Sequence, residues 1–157
     1  MAEPNIVLTR IDNRLVHGQV GNIWVSSLDC NLIVVVDDKA ANDPIQQSLM
    51  KMTAEAAHVG IRFFTIEKTI EIIAKAKPTQ KIFMIARTPA TVRALIEGGI
   101  RIYRVNVGNM HFADGKKLWH EKHVYVDDQD LADLNFIQDS GAEVFLQFSP
   151  EEKKYSL

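Results

Sequence analysis

Residues 6–37 read IVLTRIDNRLVHGQVGNIWVSSLDCNLIVVVD. The stretch begins and ends in short apolar runs rich in β-branched residues, IVLTRI (6–11) and NLIVVVD (31–37), which are strand signals. Between them, from Gly18, the positions Val20, Ile23, Trp24 and Leu28 recur at helical spacing as one apolar face. Strand, helix, strand is the unit of a parallel sheet, because parallel neighbours need a crossover and a helix is the usual one. NLIVVVD is continuous instead of alternating, as expected for a strand covered on both faces.

The same alternation carries on outward from this unit. Further strand-like runs occur at IRFFTI (61–66), KIFMIA (81–86), RIYRVNV (101–107), HVYVD (123–127) and EVFLQF (143–148). Asp43-Pro44 reads as an N-cap with proline in the first turn, and Ile45, Leu49, Met52 and Ala56 predict the inward face of the helix that follows. Thr88-Pro89 repeats that start, with Val92, Leu95 and Ile96 expected inside and Gly98-Gly99 as the stop. Ile70, Ile73 and Ala74 mark another helix, closed by Lys75 and Lys77 before Pro78, where positive charge suits the negative end of the helix dipole. A last helix, over residues 128–140, stops at Gly141. The segment 108–122 is long, polar and weakly patterned, so HVYVD is expected to join the sheet as an edge strand, with an antiparallel pairing open to it. The fold class is therefore α/β: an open, mostly parallel sheet of about seven strands with helices on both faces.

Composition narrows the function classes. A chain of 157 residues fits a single domain, 1–157, large enough to bury a real core. Apolar residues make up 46% and charged residues 24%, which argues against disorder. The net charge of −2 and the lack of a basic stripe argue against a nucleic-acid partner. No basic-then-apolar leader is visible and no apolar run approaches the roughly 20 residues that span a bilayer, so a cytoplasmic location is expected. Cys30 is the lone cysteine, and a disulfide framework is not expected.

In an open parallel sheet, ligands sit beyond the carboxyl ends of the strands, near the switch point. The segments emerging there are 12–18, 37–42, 66–68, Arg87-Thr88 and 106–111. The first, within RIDNRLVHGQV (10–20), packs Arg10, Asp12, Arg14 and His17 ahead of a helix start at Gly18. Backbone N–H groups at that start, around Gly18 and Gln19, form an anion site. Arg14 adds a planar, two-pronged phosphate donor, and an imidazole there can take a phosphoryl group on nitrogen. Arginine and amides would stabilise the charge on the transferring group, so neither a metal nor another cofactor is expected beyond a transient phosphohistidine.

The other candidates carry less. Asp12 can orient Arg14 or the imidazole, or simply cap the turn, and Arg10 lies within the strand's period and suits a structural pair. Arg87 can add a second positive charge near the phosphate or pair with Asp37 or Asp38. Those two carboxylates can cap the next turn or hold Mg2+. Asn109, in NVGNMH (106–111), offers an amide at the site's edge, and His111 is the second candidate nucleophile. Neither GxxxxGK[ST], GxGxxG after a strand, nor GxSxG is present.

With these residues in hand, RIDNRLVHGQV after a first strand closely resembles the active loop of the enzyme IIB components of the mannose-type (mannose–fructose–sorbose) sugar phosphotransferase system. The similarity extends over the chain, through VVVDD, KIFMIARTP and VNVGNM. The resemblance implies a cytoplasmic phosphocarrier, peripherally associated with a membrane transporter. A phosphohistidine of enzyme IIA would pass its phosphoryl group to His17, on Nδ1, with Arg14 as helper. His17 would pass it to a sugar held by the membrane IIC/IID components. NVGNMHFADGK resembles the N-acetylgalactosamine/galactosamine branch, which makes an amino sugar the lead substrate. A second copy of the chain is a further candidate partner. Two other classes would use the same helix-end anion site: a sugar-phosphate isomerase or phosphatase, and a regulatory module that binds a phosphorylated metabolite.

Overall fold

The structure, a computed structural model, describes residues 3–157, without the side chains of Gln19, Val20, Glu121 and Lys122. The first half runs β1 (Asn5–Asp12), α1 (Gly18–Leu28), β2 (Leu32–Val36), α2 (Pro44–Ala56), β3 (Gly60–Phe64) and α3 (Ile66–Ile72). The second half runs β4 (Lys81–Ala86), α4 (Pro89–Glu97), β5 (Arg104–Asn109), β6 (Lys117–Trp119), β7 (Glu121–Val126), α5 (Asp128–Asp139), β8 (Glu143–Leu146) and β9 (Tyr155–Ser156). Short 3-10 turns sit at Ala40–Asn42 and Ile73–Lys75.

Seven strands form one sheet in the order β3-β2-β4-β1-β5-β8-β9, parallel except for β9. The runs that read as continuous are buried on both faces: Ile33–Val36 in β2 and Ile82–Ala86 in β4. One face packs against α1 and α2 through Trp24, Val25, Met50 and Ala54. The other packs against α3, α4 and α5 through Ile70, Val92, Leu95, Leu134 and Ile137. The caps follow the sequence signals. Asp43 accepts from the N–H groups of Ile45 and Gln46, Thr88 accepts from Thr91, and Asp127 forms a reciprocal capping box with Asp130.

Three expectations are corrected. In α2 the sheet-facing residues are Met50 and Ala54, whereas Ile45, Leu49, Met52 and Ala56 are exposed. An i, i+4, i+7 spacing identifies a face of a helix but not the direction in which it points. Here the inward side is chosen by small or polar contacts: Ala54 lies against the sheet, and Gln47 Nε2 donates to the carbonyl of Ala40. In α1 the same applies to Ile23, which is exposed while Val25 is buried; the side chain of Val20 lies outside the described residues.

The third correction concerns HVYVD. It belongs to β7, which pairs antiparallel with β6 in a separate two-stranded ribbon. Among the described residues its backbone hydrogen bonds toward β5 lie just past that strand's end, where Met110 N donates to His123 O and Tyr125 N to Met110 O. The reason is occupancy: β1 and β8 already cover the two edges of β5. The seventh strand of the sheet is instead the C-terminal β9, antiparallel to β8.

β1 sits near the middle, and its own helix α1 leaves over one face. The helices after β4 and β5, its two neighbours, lie on the other face. The carboxyl end of β1 is thus a switch point, the position at which such sheets leave a crevice. Among the described residues no helix is long and apolar enough to cross a membrane.

Candidate phosphoryl-transfer site

The loop from Asn13 to His17 is held from beneath and from both sides. Leu15 and Val16 are buried, which leaves the polar residues of the loop toward solvent. Leu15 has φ 59°, a left-handed backbone that a branched side chain tolerates only when its surroundings fix it. Asn13 N donates to Asn109 O at the end of β5, and Leu15 N closes a turn onto Asp12 O. Asn13 Oδ1 accepts from the backbone N–H of His111, and Asn13 O accepts from Arg87 Nη1 at 2.7 Å.

His17 occupies the N-cap of α1 with an extended backbone (φ −134°, ψ 111°). Among the described residues its exposed side chain makes no cap hydrogen bond. The capping role that usually falls to Ser, Thr, Asp or Asn is therefore unfilled by the imidazole, and the first-turn amides stay available. Gly18, at φ +50° with open space around its Cα, starts the helix beside them. The side chain of Gln19 lies outside the described residues; its backbone is in the first turn of α1. An exposed imidazole beside the first-turn N–H groups, which an α-helix leaves without intrahelical partners, makes a place where an anion attached to His17 is stabilised.

Arg14 is aimed by a buried network. Asp12, 1% exposed, accepts from Arg14 N (2.9 Å) and Arg14 Nε (3.3 Å) on Oδ1, and from Arg14 Nη2 (3.3 Å) on Oδ2. One carboxylate thus caps the turn and grips the Arg14 guanidinium. The remaining capacity of Oδ2 goes to Arg10 Nη2 at 3.2 Å. Arg10 is 2% exposed and also donates from Nη1 to Asn106 Oδ1 (2.6 Å) and Gln147 O (3.2 Å). Its guanidinium lies over Trp24 and Phe148, at 5.4 and 5.9 Å from the ring centroids. Burial pulls its pKa down to about 10, against the opposing pull of Asp12, so the group stays charged at neutral pH. Gly108 makes the space, since a Cβ there would coincide with the Arg10 guanidinium.

The supporting candidates separate cleanly. Arg87 is engaged with protein: Nε and Nη2 grip the two oxygens of Asp37 at 3.2 Å each, and Nη1 anchors the loop at Asn13. Asp37 also accepts from Ala40 N and so caps the turn that follows it, whereas Asp38 accepts from Ile66 N at the start of α3. Among the described residues there is no group of three or more His, Cys, Asp or Glu arranged to hold a metal ion. Asn109 is buried, and its Nδ2 has no partner among the described residues, which leaves a spare donor at this edge. His111 meets the loop through its backbone N–H.

Asn13, Gln147 and Phe148 were not singled out from the sequence, and Trp24 was read only as part of the apolar face of α1, yet these residues border the site. Trp24 Nε1 donates to Phe148 O at 3.1 Å, which ties α1 to the segment after β8. The Phe148 ring stacks on His123 (3.9 Å between centroids) and lies under the Arg14 guanidinium at 5.5 Å. The carboxyl-end rule covers this segment too, because EVFLQF ends at Phe148.

Residues 6–157 match the family model described as the PTS system sorbose subfamily IIB component. The chain is 64% identical over 154 residues to the N-acetylgalactosamine-specific phosphotransferase enzyme IIB component 1 of Escherichia coli K12, covering 98% of this chain and 97% of that protein. It is 33% identical over 143 residues to the mannose-specific EIIAB component of the same strain, covering 88% of this chain and 43% of that longer protein. Its backbone superposes on the crystal structure of the N-acetylgalactosamine-specific IIB component 1 from Escherichia coli with a TM-score of 0.95, at 63% identity, covering 98% and 99% of the two chains.

Proposed function

This chain belongs to the sorbose subfamily of phosphotransferase-system IIB components, and from that premise we propose that His17 is the residue that carries the phosphoryl group. A IIB component is a phosphotransferase that works between enzyme IIA and the IIC/IID components, relaying phosphate to a sugar. The observation that carries the assignment is the exposed His17 imidazole at the N-cap of α1, beside the first-turn amides of that helix and near an arginine already clamped by Asp12.

The steps balance simply. A lone pair on a neutral His17 nitrogen attacks phosphorus while the N–P bond of the IIA phosphohistidine breaks, and its electron pair returns to the donor imidazole. Arg14 and the amides of Gly18 and Gln19 stabilise the charge spread over the transferring oxygens. Asn109 Nδ2 is a further donor at the site's edge, whereas Asp12 and Arg87 act through the loop. In the second half-reaction a sugar hydroxyl oxygen attacks phosphorus, the O–P bond forms as the N–P bond breaks, the N–P pair returns to His17, and the hydroxyl proton passes to solvent. No metal or dissociable cofactor takes part. The protein works in the cytoplasm, docked on the membrane components. The 64% identical relative points to N-acetylgalactosamine as the sugar.

Incubation with phosphorylated enzyme IIA tests this. One acid-labile, base-stable phosphate per chain is expected, and none on His17→Ala. Label on that variant contradicts the assignment. Arg14→Lys keeps the charge but loses the two-point grip on Asp12, so transfer slows at least about tenfold. Turnover of a free sugar phosphate without partner proteins would instead favour an isomerase or phosphatase. Phosphometabolite binding that survives His17→Ala, without transfer, would favour a regulatory module.

A further inference from the structure

We propose that Phe148 is a positioning residue for phosphoryl transfer: the face of its ring holds the Arg14 guanidinium in the orientation that meets the phosphoryl group. The inference rests on His17 as acceptor and Arg14 as its helper. Arg14 is one-quarter exposed, and its only charged partner, among the described residues, is Asp12, on one edge of the guanidinium. A carboxylate on one edge fixes the direction of the plane but leaves it free to tilt about the contact. The Phe148 ring, 5.5 Å from the guanidinium carbon, supplies the missing restraint. A cation over an aromatic face is attracted by the ring's negative quadrupole, and within about 6 Å this attraction is significant.

The ring is itself fixed on independent grounds. Its backbone carbonyl accepts from the Trp24 indole, and the neighbouring Gln147 carbonyl accepts from Arg10 Nη1 and Asn106 Nδ2. His123 stacks on it from β7, with planes 22° apart. The segment after β8, helix α1 and the β6–β7 ribbon therefore converge on one residue, the first two through its backbone and the ribbon through its ring, and what the ring adds is contact with the two arginines of the motif. A role in packing alone would not require the ring to face charge.

Stepwise fluorination of the ring separates electrostatics from packing, because fluorine withdraws electron density from the face with little change of shape. The full-length protein carrying mono-, di- and trifluorophenylalanine at 148 is assayed for transfer from phosphorylated enzyme IIA, with donor KM and kcat measured separately. The expected result is a kcat that falls stepwise, about two- to fivefold in total, with an unchanged thermal midpoint. Phe148→Trp should keep the rate and Phe148→Leu should lose it to the same extent as the most fluorinated ring. In an Arg14→Gln background the series should be flat.

A flat series in the native background, or a fall that tracks thermal stability, overturns the proposal. A slope that persists in Arg14→Gln also overturns it, by assigning the effect to Arg10. Failure of the underlying reading looks different, because the unsubstituted protein would then take no phosphate on His17.

Discussion

Gly108 decides the site by what it lacks. The guanidinium of Arg10 occupies the volume that any larger residue at 108 would fill, and Arg10 in turn holds the far oxygen of Asp12. Gly108→Ala must therefore push a buried charge out of its pocket of Asn106, Gln147, Trp24 and Phe148, or shift β5. Overpacking of this kind costs about 1–3 kcal/mol, and displacement of a paired buried charge places this site at the upper end. Urea denaturation should show that loss, accompanied by slower transfer because Arg14 shares Asp12 with Arg10. Unchanged stability would mean that Arg10 has another place to go. The RIDNRLVHGQV stretch announces all of these charges, but nothing in it says that Arg10 is buried and Arg14 is not. That difference depends on residues more than ninety positions away.

At the scale of the element, α2 is the instructive case. Asp43-Pro44 sets its start as read from the sequence, whereas its inward face is rotated away from the apolar spacing. Met50→Ala should cost about 2–3 kcal/mol by urea denaturation, while Leu49→Gln should stay within about 0.5 kcal/mol. The opposite ranking would restore the reading by periodicity. Strands β2 and β4 were legible because double burial leaves a continuous apolar run, and β1 was legible from its β-branched residues although Thr9 and Arg10 interrupt it. Strand β9 was not, because Tyr155-Ser156 is too short to carry a pattern and exists only as a partner of β8.

The capping box of α5 gives a pH dependence of known sign. The backbone N–H of Asp130 holds the Asp127 carboxyl below its ordinary value of 3.8, with Lys116 adding to the effect and desolvation opposing it. A carboxyl lowered on folding contributes stability that is present above its unfolded pKa and is lost as pH falls through the folded value. The stability gap between the native protein and Asp127→Asn should therefore be constant near neutrality and shrink below pH 3.8. Paired urea titrations at neutral and acid pH measure it, and a gap that widens in acid would contradict the assigned cap.

For the whole molecule, topology explains why one loop carries the chemistry. β1 lies between strands whose helices leave over the opposite face, so the carboxyl end of β1 opens into a crevice. Buried strands fix the floor, and α1 presents its first-turn amides from above. The histidine, its arginine and their place at a strand end were readable in one short stretch, because the rule for parallel sheets needs only local order. The wall formed by Phe148 and His123 was not, since it is assembled from β8 and a ribbon outside the main sheet.

The most direct test of the account is to localise the phosphate. After transfer from phosphorylated enzyme IIA, fragmentation mass spectrometry of peptides kept at alkaline pH should place a single phosphoryl group on His17 in the peptide containing RLVHGQV. Phosphate on His111, His123 or any other residue, with His17 unmodified, would contradict it.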